Sequence, residues 1–306
     1  MTEIDDETLR RSPLPLQDGG DKEDRGRVLV IAGSREIPGA AVLAATAALR
    51  AGAGKVTIAT PASIALAVAM AVPEARVIAL EETAEGGIGA HGTAALESLA
   101  GRVQTVLVGP GLTYEPATCA LAASVLEMFA KALIVLDAGA MNLLCTPPHD
   151  GMRFGSPVLL TPHAGEMATL TGASKDAVEA QPAEAALDAA RAWNAMVALK
   201  GVITFIAAPD GRLLRHEGGN FGLATSGSGD VLAGIIAGLA ARGASLQVAS
   251  AWGVALHARA GERLAARSGV VGYLARELAG EVPALMAELA AAMVPGGQKP
   301  PAAAAG

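Results

Sequence analysis

Short apolar runs separated by alanine-rich stretches recur along this 306-residue chain. Most of the runs are continuous and lack strict alternation with polar residues, which is typical of strands buried on both faces of a parallel sheet. The predicted strands are residues 28–32, 56–59, 76–80, 106–108, 133–136, 158–160, 197–199 and 203–207. The predicted helices between them are residues 40–51, 93–100, 116–130 and 183–194. This rhythm predicts an α/β fold, a doubly wound and mostly parallel sheet with helices on both faces.

The chain has no internal linker, repeat or shift in composition, so a single domain over residues 26–294 is predicted. Its last part is almost entirely helical, with predicted helices at 231–241, 247–266 and 275–293. Residues 1–25 mix charges with prolines and glycines without any period, and residues 295–306 consist mainly of alanine, proline and glycine. Both ends are predicted to be disordered tails.

Composition excludes several classes of protein. The longest apolar stretch, 62–72, has about half of the ~20 residues that a membrane span requires, and the acidic N-terminus is unlike a leader. The net charge is −7 and no basic cluster exceeds Arg10-Arg11, so nucleic-acid binding is not expected. Cys119 and Cys145 lack ligand spacing and fit a reducing cytosol. A cytoplasmic protein without nucleic-acid or membrane partners is predicted.

One turn before the late helices combines two glycines with a serine and an aspartate. Gly227 and Gly229 let the backbone approach an anion closely, and the apolar run that follows continues as a helix. A helix N-terminus offers free N–H groups and about half a positive charge, which suits a phosphate or an oxyanion. Asp230 is therefore a candidate catalytic residue beside a phosphate site. The alternative is a Gly-Ser loop in which Asp230 is only a structural N-cap.

Further candidate segments follow predicted strands, where ligands bind in doubly wound sheets. They are the loop 33–41, the two-glycine segment 109–112, Asp137 with Asn142, His163 with Glu166, and Lys200 with Gly201. Each also has a structural explanation, because the loops can be plain turns, Asp137 and Asn142 can be caps, and Glu166 suits a helix N-terminus. A buried Asp137 would need a partner, either a cap or a metal-bound water. Lys200 could contact a phosphate or be the solvated lysine of a hairpin.

The remaining histidines carry no ligand spacing, and each is expected to be solvated or incidental. They are His91, His149, His216 and His257.

Taken together, these blocks resemble the ADP- or ATP-dependent NAD(P)H-hydrate dehydratases, a family with the ribokinase-like fold. The resemblance runs from about Gly26 to Ala287. The matching blocks are 39–41 with 50–54, 109–112, Asp-Ala-x-Ala-x-Asn-Leu-Leu from Asp137, Thr-Pro-His-x-Gly-Glu-Met from Thr161, Lys200-Gly, and Ala-Thr-x-Gly-Ser-Gly-Asp ending at Asp230. Gly-x-Gly-Asp is common to many ribokinase-like kinases, whereas the blocks from Asp137 and Thr161 are far more specific.

The resemblance implies a metabolite-repair enzyme that converts the 6S hydrate of NADH or NADPH, NAD(P)HX, back to the functional cofactor. The co-substrate would be ADP, or ATP in its place, and AMP and phosphate would be released from ADP. Mg²⁺ would come with the nucleotide, held largely by phosphates and water rather than by a protein cage. A separate epimerase as functional partner and a homotetramer are also implied. No room for a fused epimerase domain is expected before the first predicted strand.

The matched positions imply a role for each residue. Asp230 would be the general base on the C6 hydroxyl of the hydrate. The anion hole for the transferring phosphoryl group would be Gly227, Ser228 and Gly229. The nucleotide site would be lined by Lys200, Gly201, Val202, Ile203, Thr204 and Gly229. The residues that contact the hydrated dinucleotide would be Ala40, Ala41, Gly111, His163 and Asp230.

Two residues depart from the family pattern. Gly139 stands where a second acidic residue is common, which puts a metal-related role of that block in doubt, and Thr113 replaces a usual glycine and could tighten the dinucleotide loop. Two other functions stay in view: a kinase of a vitamin-type alcohol, and a nucleotide-binding regulator without turnover. The whole 161–166 block favours the dehydratase over the kinase. The retained Asp230 disfavours the regulator.

Overall fold

A ten-stranded sheet forms the centre of the computed structural model, which describes residues 1–15, 25–147 and 151–291. The strands are β1 (Thr2–Glu3), β2 (Arg27–Ile31), β3 (Lys55–Pro61), β4 (Arg76–Leu80), β5 (Thr105–Val108), β6 (Leu133–Leu136), β7 (Val158–Leu160), β8 (Met196–Leu199), β9 (Ile203–Ala207) and β10 (Leu213–Glu217). Their order across the sheet is β1-β10-β9-β8-β7-β6-β5-β2-β3-β4. Strands β2 to β8 pair in parallel, whereas β9 is antiparallel to both β8 and β10. The predicted doubly wound, mostly parallel sheet is confirmed.

Helices cover both faces of the sheet. They are α1 (Asp6–Arg11), α2 (Pro38–Arg50), α3 (Ala65–Ala71), α4 (Pro116–Met128), α5 (Ala164–Thr171), α6 (Lys175–Ala180), α7 (Pro182–Trp193), α8 (Ser228–Ala241), α9 (Leu246–Ser268) and α10 (Ala275–Ala291). One apolar core contains α2, α8, α9 and α10, and a second core on the opposite face contains α4 to α7. Three 3-10 helices, Ala90–Leu99, Ala138–Cys145 and Phe221–Leu223, complete the described elements.

Helix α8 lies directly against α2, and two glycines make this possible. A Cβ on Gly234 would be 2.2 Å from the carbonyl oxygen of Ala44, and one on Gly238 would be 2.5 Å from that of Ala48. Both distances are far below van der Waals contact, so only glycine fits. The four-residue spacing of these glycines predicts a tightly packed helix face, and the structure confirms it.

Several elements differ from the prediction, and α3, α6 and β10 are not among the predicted elements. Strand β10 is not predicted, because Leu213–Glu217 has two apolar residues followed by three polar ones, whereas the prediction rests on continuous apolar runs. The segment predicted as an α-helix at 93–100 is instead a 3-10 helix, Ala90–Leu99.

The N-terminal segment is a correction to the predicted tail at 1–25. Residues 2 and 3 pair in parallel with β10, and the Asp5 side chain caps α1 by accepting a hydrogen bond from the Thr8 amide at 2.8 Å. Ile4 and Leu9 are buried, at 3% and 1% exposure. The charged composition misled the prediction because a cap and two buried side chains are enough to fix a short segment. Residues 16–24 of the predicted tail, and the whole of 295–306, lie outside the described residues.

Within the described ranges, every helix is too short or too polar to cross a lipid bilayer.

Candidate active site

The loops that follow β2, β5 and β6 are in direct contact. The Gly33 amide donates a hydrogen bond to the Pro110 carbonyl at 2.8 Å, and a Cβ on Gly111 would lie 2.6 Å from the Cβ of Ala40. A Cβ on Gly109 would be 1.7 Å from the Asp137 carbonyl oxygen, so glycine is required there as well. The structure therefore brings the glycine-rich loops of the sequence analysis together at the carboxyl edge of the parallel sheet.

Asp137 is buried beside the next two strands. Its Oδ1 accepts a hydrogen bond from the Thr161 hydroxyl at 2.6 Å and one from the Lys200 ammonium at 3.3 Å. No cap hydrogen bond from its side chain to the following 3-10 helix is present. The capping alternative is therefore wrong for Asp137. It is also wrong for Asn142, which lies inside this 3-10 helix and whose side-chain amide donates to the Gly139 carbonyl at 3.2 Å.

Lys200 lies at the turn between β8 and β9, as predicted, but it is not a solvated hairpin lysine. Its side chain is only 20% exposed, and its Nζ lies 3.3 Å from Asp137 Oδ1 and 3.8 Å from Glu166 Oε2. Burial alone would lower its pKa, but the two carboxylates outweigh burial and raise the pKa of Lys200 above its usual value. Lys200 is therefore a fixed positive charge within an acidic cluster.

The N-terminus of α8 reaches this cluster. A Cβ on Gly229 would be 3.3 Å from Lys200 Nζ, which places the ammonium against the first turn of the helix. The N-cap residue is Gly227, with φ 88°, a left-handed conformation that favours glycine. Asp230 is the third residue of the helix and no side chain caps it, so the structural N-cap alternative for Asp230 is wrong.

The carboxylate of Asp230 is in an unusual electrostatic environment. Burial, followed by the nearby charge of Asp137, raises its pKa to about 7, while Lys200 opposes the shift and Glu166 adds to it. A carboxyl group with such a pKa can exchange a proton near neutral pH, which a general base must do.

We call residues 227–230 the anion cradle, because their backbone supplies free donors. The Ser228 amide is already bonded to the Thr225 carbonyl at 3.2 Å, and Val231 is the first residue to donate back to Gly227. Within the described structure, the amides of Gly229 and Asp230 have no backbone acceptor. These two N–H groups, rather than that of Ser228, are available to an anion.

Sequence analysis missed His257. It was expected to be solvated or incidental, but it is 9% exposed on α9 and its Nε2 lies 2.9 Å from the Ser228 hydroxyl oxygen. Burial lowers its pKa to about 4. The helical spacing of apolar residues could have indicated that His257 is buried. It follows Val254 by three residues and precedes Leu264 by seven, which places all three on one buried face of α9.

His216 is a second correction, because it is also buried, at 8% exposure, with Nδ1 3.1 Å from the Ile4 carbonyl. The side chains of His91 and His149 lie outside the described structure.

The other residues predicted to contact the hydrated dinucleotide differ in how far their side chains are exposed to solvent. His163 is the N-cap of α5: its Nδ1 accepts from the Glu166 amide at 3.1 Å, and Glu166 accepts from the His163 amide at 2.8 Å. The His163 side chain is still 60% exposed and open to a ligand. Ala40 and Ala41 are buried, at 1% and 0% exposure, so a ligand can reach only their immediate surroundings.

The predicted nucleotide segment is open at its centre. Val202 is 92% exposed and Gly201 is exposed beside it, whereas Ile203 and Thr204 are half-buried in β9.

Thr113, which departs from the family pattern, ties two loops together. Its hydroxyl donates to Glu115, whose other carboxylate oxygen accepts from the Thr83 hydroxyl at 3.0 Å.

The cluster does not form a metal cage. Among the described residues, no group of three or more His, Cys, Asp or Glu side chains could hold a metal ion. Asp137 and Glu166 are already paired with Lys200. This donor set fits a Mg²⁺ ion that arrives with phosphates and keeps most of its water, and it does not fit a resident protein-bound metal.

Comparison with known proteins identifies the family. The family model described as NAD(P)H-hydrate dehydratase matches residues 28–284, most of the chain. The chain belongs to the NAD(P)H-hydrate dehydratase family. An ADP-dependent (S)-NAD(P)H-hydrate dehydratase from Xanthomonas campestris pv. campestris is 49% identical over 281 residues, covering 92% of this chain and 94% of the relative.

Other relatives are longer, and a solved structure matches the whole fold. A bifunctional NAD(P)H-hydrate repair enzyme from Moorella thermoacetica is 40% identical over 91% of this chain, which spans about half, 53%, of that relative. The ADP/ATP-dependent NAD(P)H-hydrate dehydratase of Bacillus subtilis, co-crystallised with ATP and Mg²⁺, superposes with a TM-score of 0.78 at 27% identity, covering 94% of this chain and 98% of that one. The predicted NAD(P)H-hydrate dehydratase family and its ribokinase-like fold are confirmed.

Proposed function

We propose that this chain is an ADP-dependent dehydratase that returns the 6S hydrate of NADH or NADPH to the reduced cofactor and releases AMP and phosphate. The observation that carries the proposal is the position of Asp230, a partly buried carboxyl group with a pKa of about 7 in the first turn of α8, beside the free amides of the anion cradle. Such a pair can remove a proton from an alcohol and hold the phosphoryl group that the alcohol attacks.

In the proposed reaction Asp230 removes the proton from the C6 hydroxyl of the hydrate. The resulting oxygen attacks the terminal phosphorus of ADP, the bond to the bridging oxygen breaks, and AMP leaves. The ring nitrogen lone pair then expels phosphate from C6, and loss of a proton from C5 forms the ring double bond. The amides of Gly229 and Asp230 bind the transferring phosphoryl oxygens, whose charge is the main quantity to be stabilised.

The nucleotide would lie along the β8–β9 turn, on Lys200, Gly201, Val202, Ile203 and Thr204, and reach Gly229 at its phosphate end. The ammonium of Lys200 against Gly229 supports this, because it adds positive charge where the phosphates would end. Bound Mg²⁺ would neutralise phosphate charge. Asp137 and Glu166, the carboxylates paired with Lys200, could hold its water ligands, and the magnesium of the Bacillus subtilis crystals supports its use.

The hydrated dinucleotide would approach from the opposite side, over the contact between Gly111 and the 33–41 loop, with Ala40 and Ala41 beneath it. His163, exposed at the N-terminus of α5, is available to it as a hydrogen-bonding group. In this proposed arrangement the C6 hydroxyl would lie between Asp230 and the phosphoryl group.

The proposed biological setting has three parts. The bifunctional relatives support a partnership with an NAD(P)HX epimerase. A cytoplasmic location suits an enzyme that repairs soluble cofactors. A homotetramer is proposed from the family resemblance.

A product analysis separates this function from that of a kinase with the same fold. The protein is incubated with Mg²⁺, ADP or ATP, and either (6S)-NADHX or a hydroxymethylpyrimidine or hydroxyethylthiazole alcohol, and the products are separated by chromatography. Equal amounts of NADH, AMP and phosphate from ADP and the hydrate support the proposal. A phosphorylated alcohol with unchanged hydrate would overturn it.

A further inference from the structure

A buried contact between α8 and α9 lies directly behind the anion cradle. Nε2 of His257 is 2.9 Å from the hydroxyl oxygen of Ser228 and 3.1 Å from its carbonyl oxygen. Both residues are almost fully buried, Ser228 at 5% and His257 at 9% exposure. Ser228 is the first residue of α8, so this contact fixes the start of the helix that carries Asp230.

The two distances determine which ring nitrogen carries the proton. A carbonyl oxygen can only accept a hydrogen bond, so an unprotonated Nε2 at 3.1 Å would face it with a lone pair and no hydrogen between them. A protonated Nε2 instead donates to both oxygens of Ser228. The second nitrogen is then unprotonated and the ring is neutral, as expected for a buried imidazole with the positive Lys200 nearby.

Few other hydrogen bonds hold the cradle, and one of them is accepted by the Gly227 carbonyl from the Val231 amide at 3.1 Å. Gly227, its N-cap, supplies no side-chain cap, and Gly229 is a second flexible position. In the described part of the chain, the amide of Ser228 is held by one backbone bond of 3.2 Å, to Thr225. A turn that contains two glycines needs an outside contact to hold its amides in one direction.

We propose that His257 is a positioning residue of the anion cradle. Its Nε2–H group holds Ser228 and thereby sets the direction of the Gly229 and Asp230 amides and of the Asp230 carboxylate. Its effect on catalysis rests on the proposed dehydratase function, but its effect on phosphate binding does not. His257 acts through Ser228 and does not touch the substrates.

The first test compares replacements of one side chain. Glutamine can place an amide N–H near the position of Nε2, whereas asparagine is too short and leucine has no donor. His257→Gln is expected to bind ADP with a Kd within about twofold of the wild type, and His257→Asn and His257→Leu roughly tenfold more weakly, the equivalent of one lost hydrogen bond. Isothermal titration calorimetry with ADP and Mg²⁺ measures this without any turnover.

The second test is kinetic and uses (6S)-NADHX with ADP. Since misdirected cradle amides bind the transferring phosphoryl group less well than the resting nucleotide, kcat of His257→Asn should fall by roughly ten- to a hundredfold, more than KM for ADP rises. His216→Asn is a matched control, because His216 is another buried histidine with a ring nitrogen beside a backbone carbonyl. It should lower the melting temperature and leave kcat unchanged.

Ser228→Ala provides a variant that leaves the histidine in place. It removes one of the two acceptors of Nε2, so a smaller loss of kcat than in His257→Asn is expected, and the double variant should be no worse than His257→Asn alone. Melting temperatures of all variants ensure that each is assayed while folded.

Three outcomes would contradict the proposal. His257→Asn could match the wild type in kcat and ADP affinity, His257→Gln could lose as much as His257→Asn, or His216→Asn could lose as much kcat. A wild type that does not convert the hydrate would refute the proposed function alone, because the ADP titrations still test the contact. A wild type that binds no ADP would refute both.

Discussion

At the scale of single residues, the site depends on how Lys200 is shared among acidic groups. Three carboxylates, those of Asp137, Glu166 and Asp230, interact with this one ammonium group. Burial and then the charge of Asp137 raise the pKa of Asp230, and Lys200, whose closest contact is with Asp137, opposes this shift only in part. The residue proposed as base is therefore incompletely neutralised by the lysine.

This arrangement predicts a pH dependence. Since Asp230 must be unprotonated to act, kcat/KM is expected to rise with pH and to reach half its limiting value near pH 7. Asp137→Asn removes a charge that raises this pKa and should move the midpoint to lower pH. Asp188→Asn, at an exposed position on α7, is the control and should not move it. A midpoint that is the same in all three proteins would mean that another group titrates.

The same carboxyl group should reduce the stability of the fold. Its pKa in the folded protein lies above its unfolded value, so the free energy of unfolding decreases as the pH rises from about 4 through 7. Asp230→Asn stays neutral and should be more stable than the wild type by roughly 1–3 kcal/mol at pH 8, with a smaller difference at pH 5. Urea unfolding at both pH values measures this, and a variant that is less stable at pH 8 would contradict the account.

At the scale of secondary-structure elements, the packing of α8 on α2 fixes where the anion cradle lies. Gly234→Ala would place a methyl group 2.2 Å from a backbone oxygen of α2, and because backbone cannot move aside easily, a loss of roughly 2–4 kcal/mol in the free energy of unfolding is expected. Gly280→Ala is the matched control. Gly280 lies in α10 with nothing within 4 Å of its missing Cβ, so alanine should be neutral or stabilise by up to about 1 kcal/mol.

Chemical denaturation of the two glycine variants decides this prediction. Equal stabilities for Gly234→Ala and Gly280→Ala would show that α8 and α2 can move apart without loss of stability, and would contradict their close packing.

Much of the element order could be predicted from sequence, because buried parallel strands appear as continuous apolar runs. The loops at the ends of those strands could be predicted too, since parallel strands place them at one edge. The partners of Lys200 could not, because pairing depends on side-chain directions across three strands. His257 was missed for the same reason: its contact with Ser228 joins residues 29 positions apart on different helices.

At the scale of the whole molecule, the N-terminal segment adds to the sheet and to its helical layer. The Trp252 indole donates to the Ser12 carbonyl at 2.9 Å, and Arg259 forms an ion pair with Asp6. Leu9→Ala is expected to lower the free energy of unfolding by about 2–4 kcal/mol, because Leu9 is 1% exposed. Leu66→Ala makes the same change at 77% exposure and should have little effect.

Urea unfolding of both leucine variants gives the comparison. If Leu9→Ala and Leu66→Ala are equally stable, the N-terminal segment does not belong to the folded core.

The central claim is that Asp230 and the anion cradle catalyse the dehydration of a nicotinamide hydrate, with ADP as the phosphoryl donor. The most direct measurement follows the near-ultraviolet absorbance of reduced nicotinamide after mixing the protein with (6S)-NADHX, Mg²⁺ and ADP, for the wild type and for Asp230→Asn. The account predicts that absorbance recovers with the wild type, and that Asp230→Asn gives no recovery while still binding AMP. No recovery with the wild type, with either ADP or ATP, would contradict it.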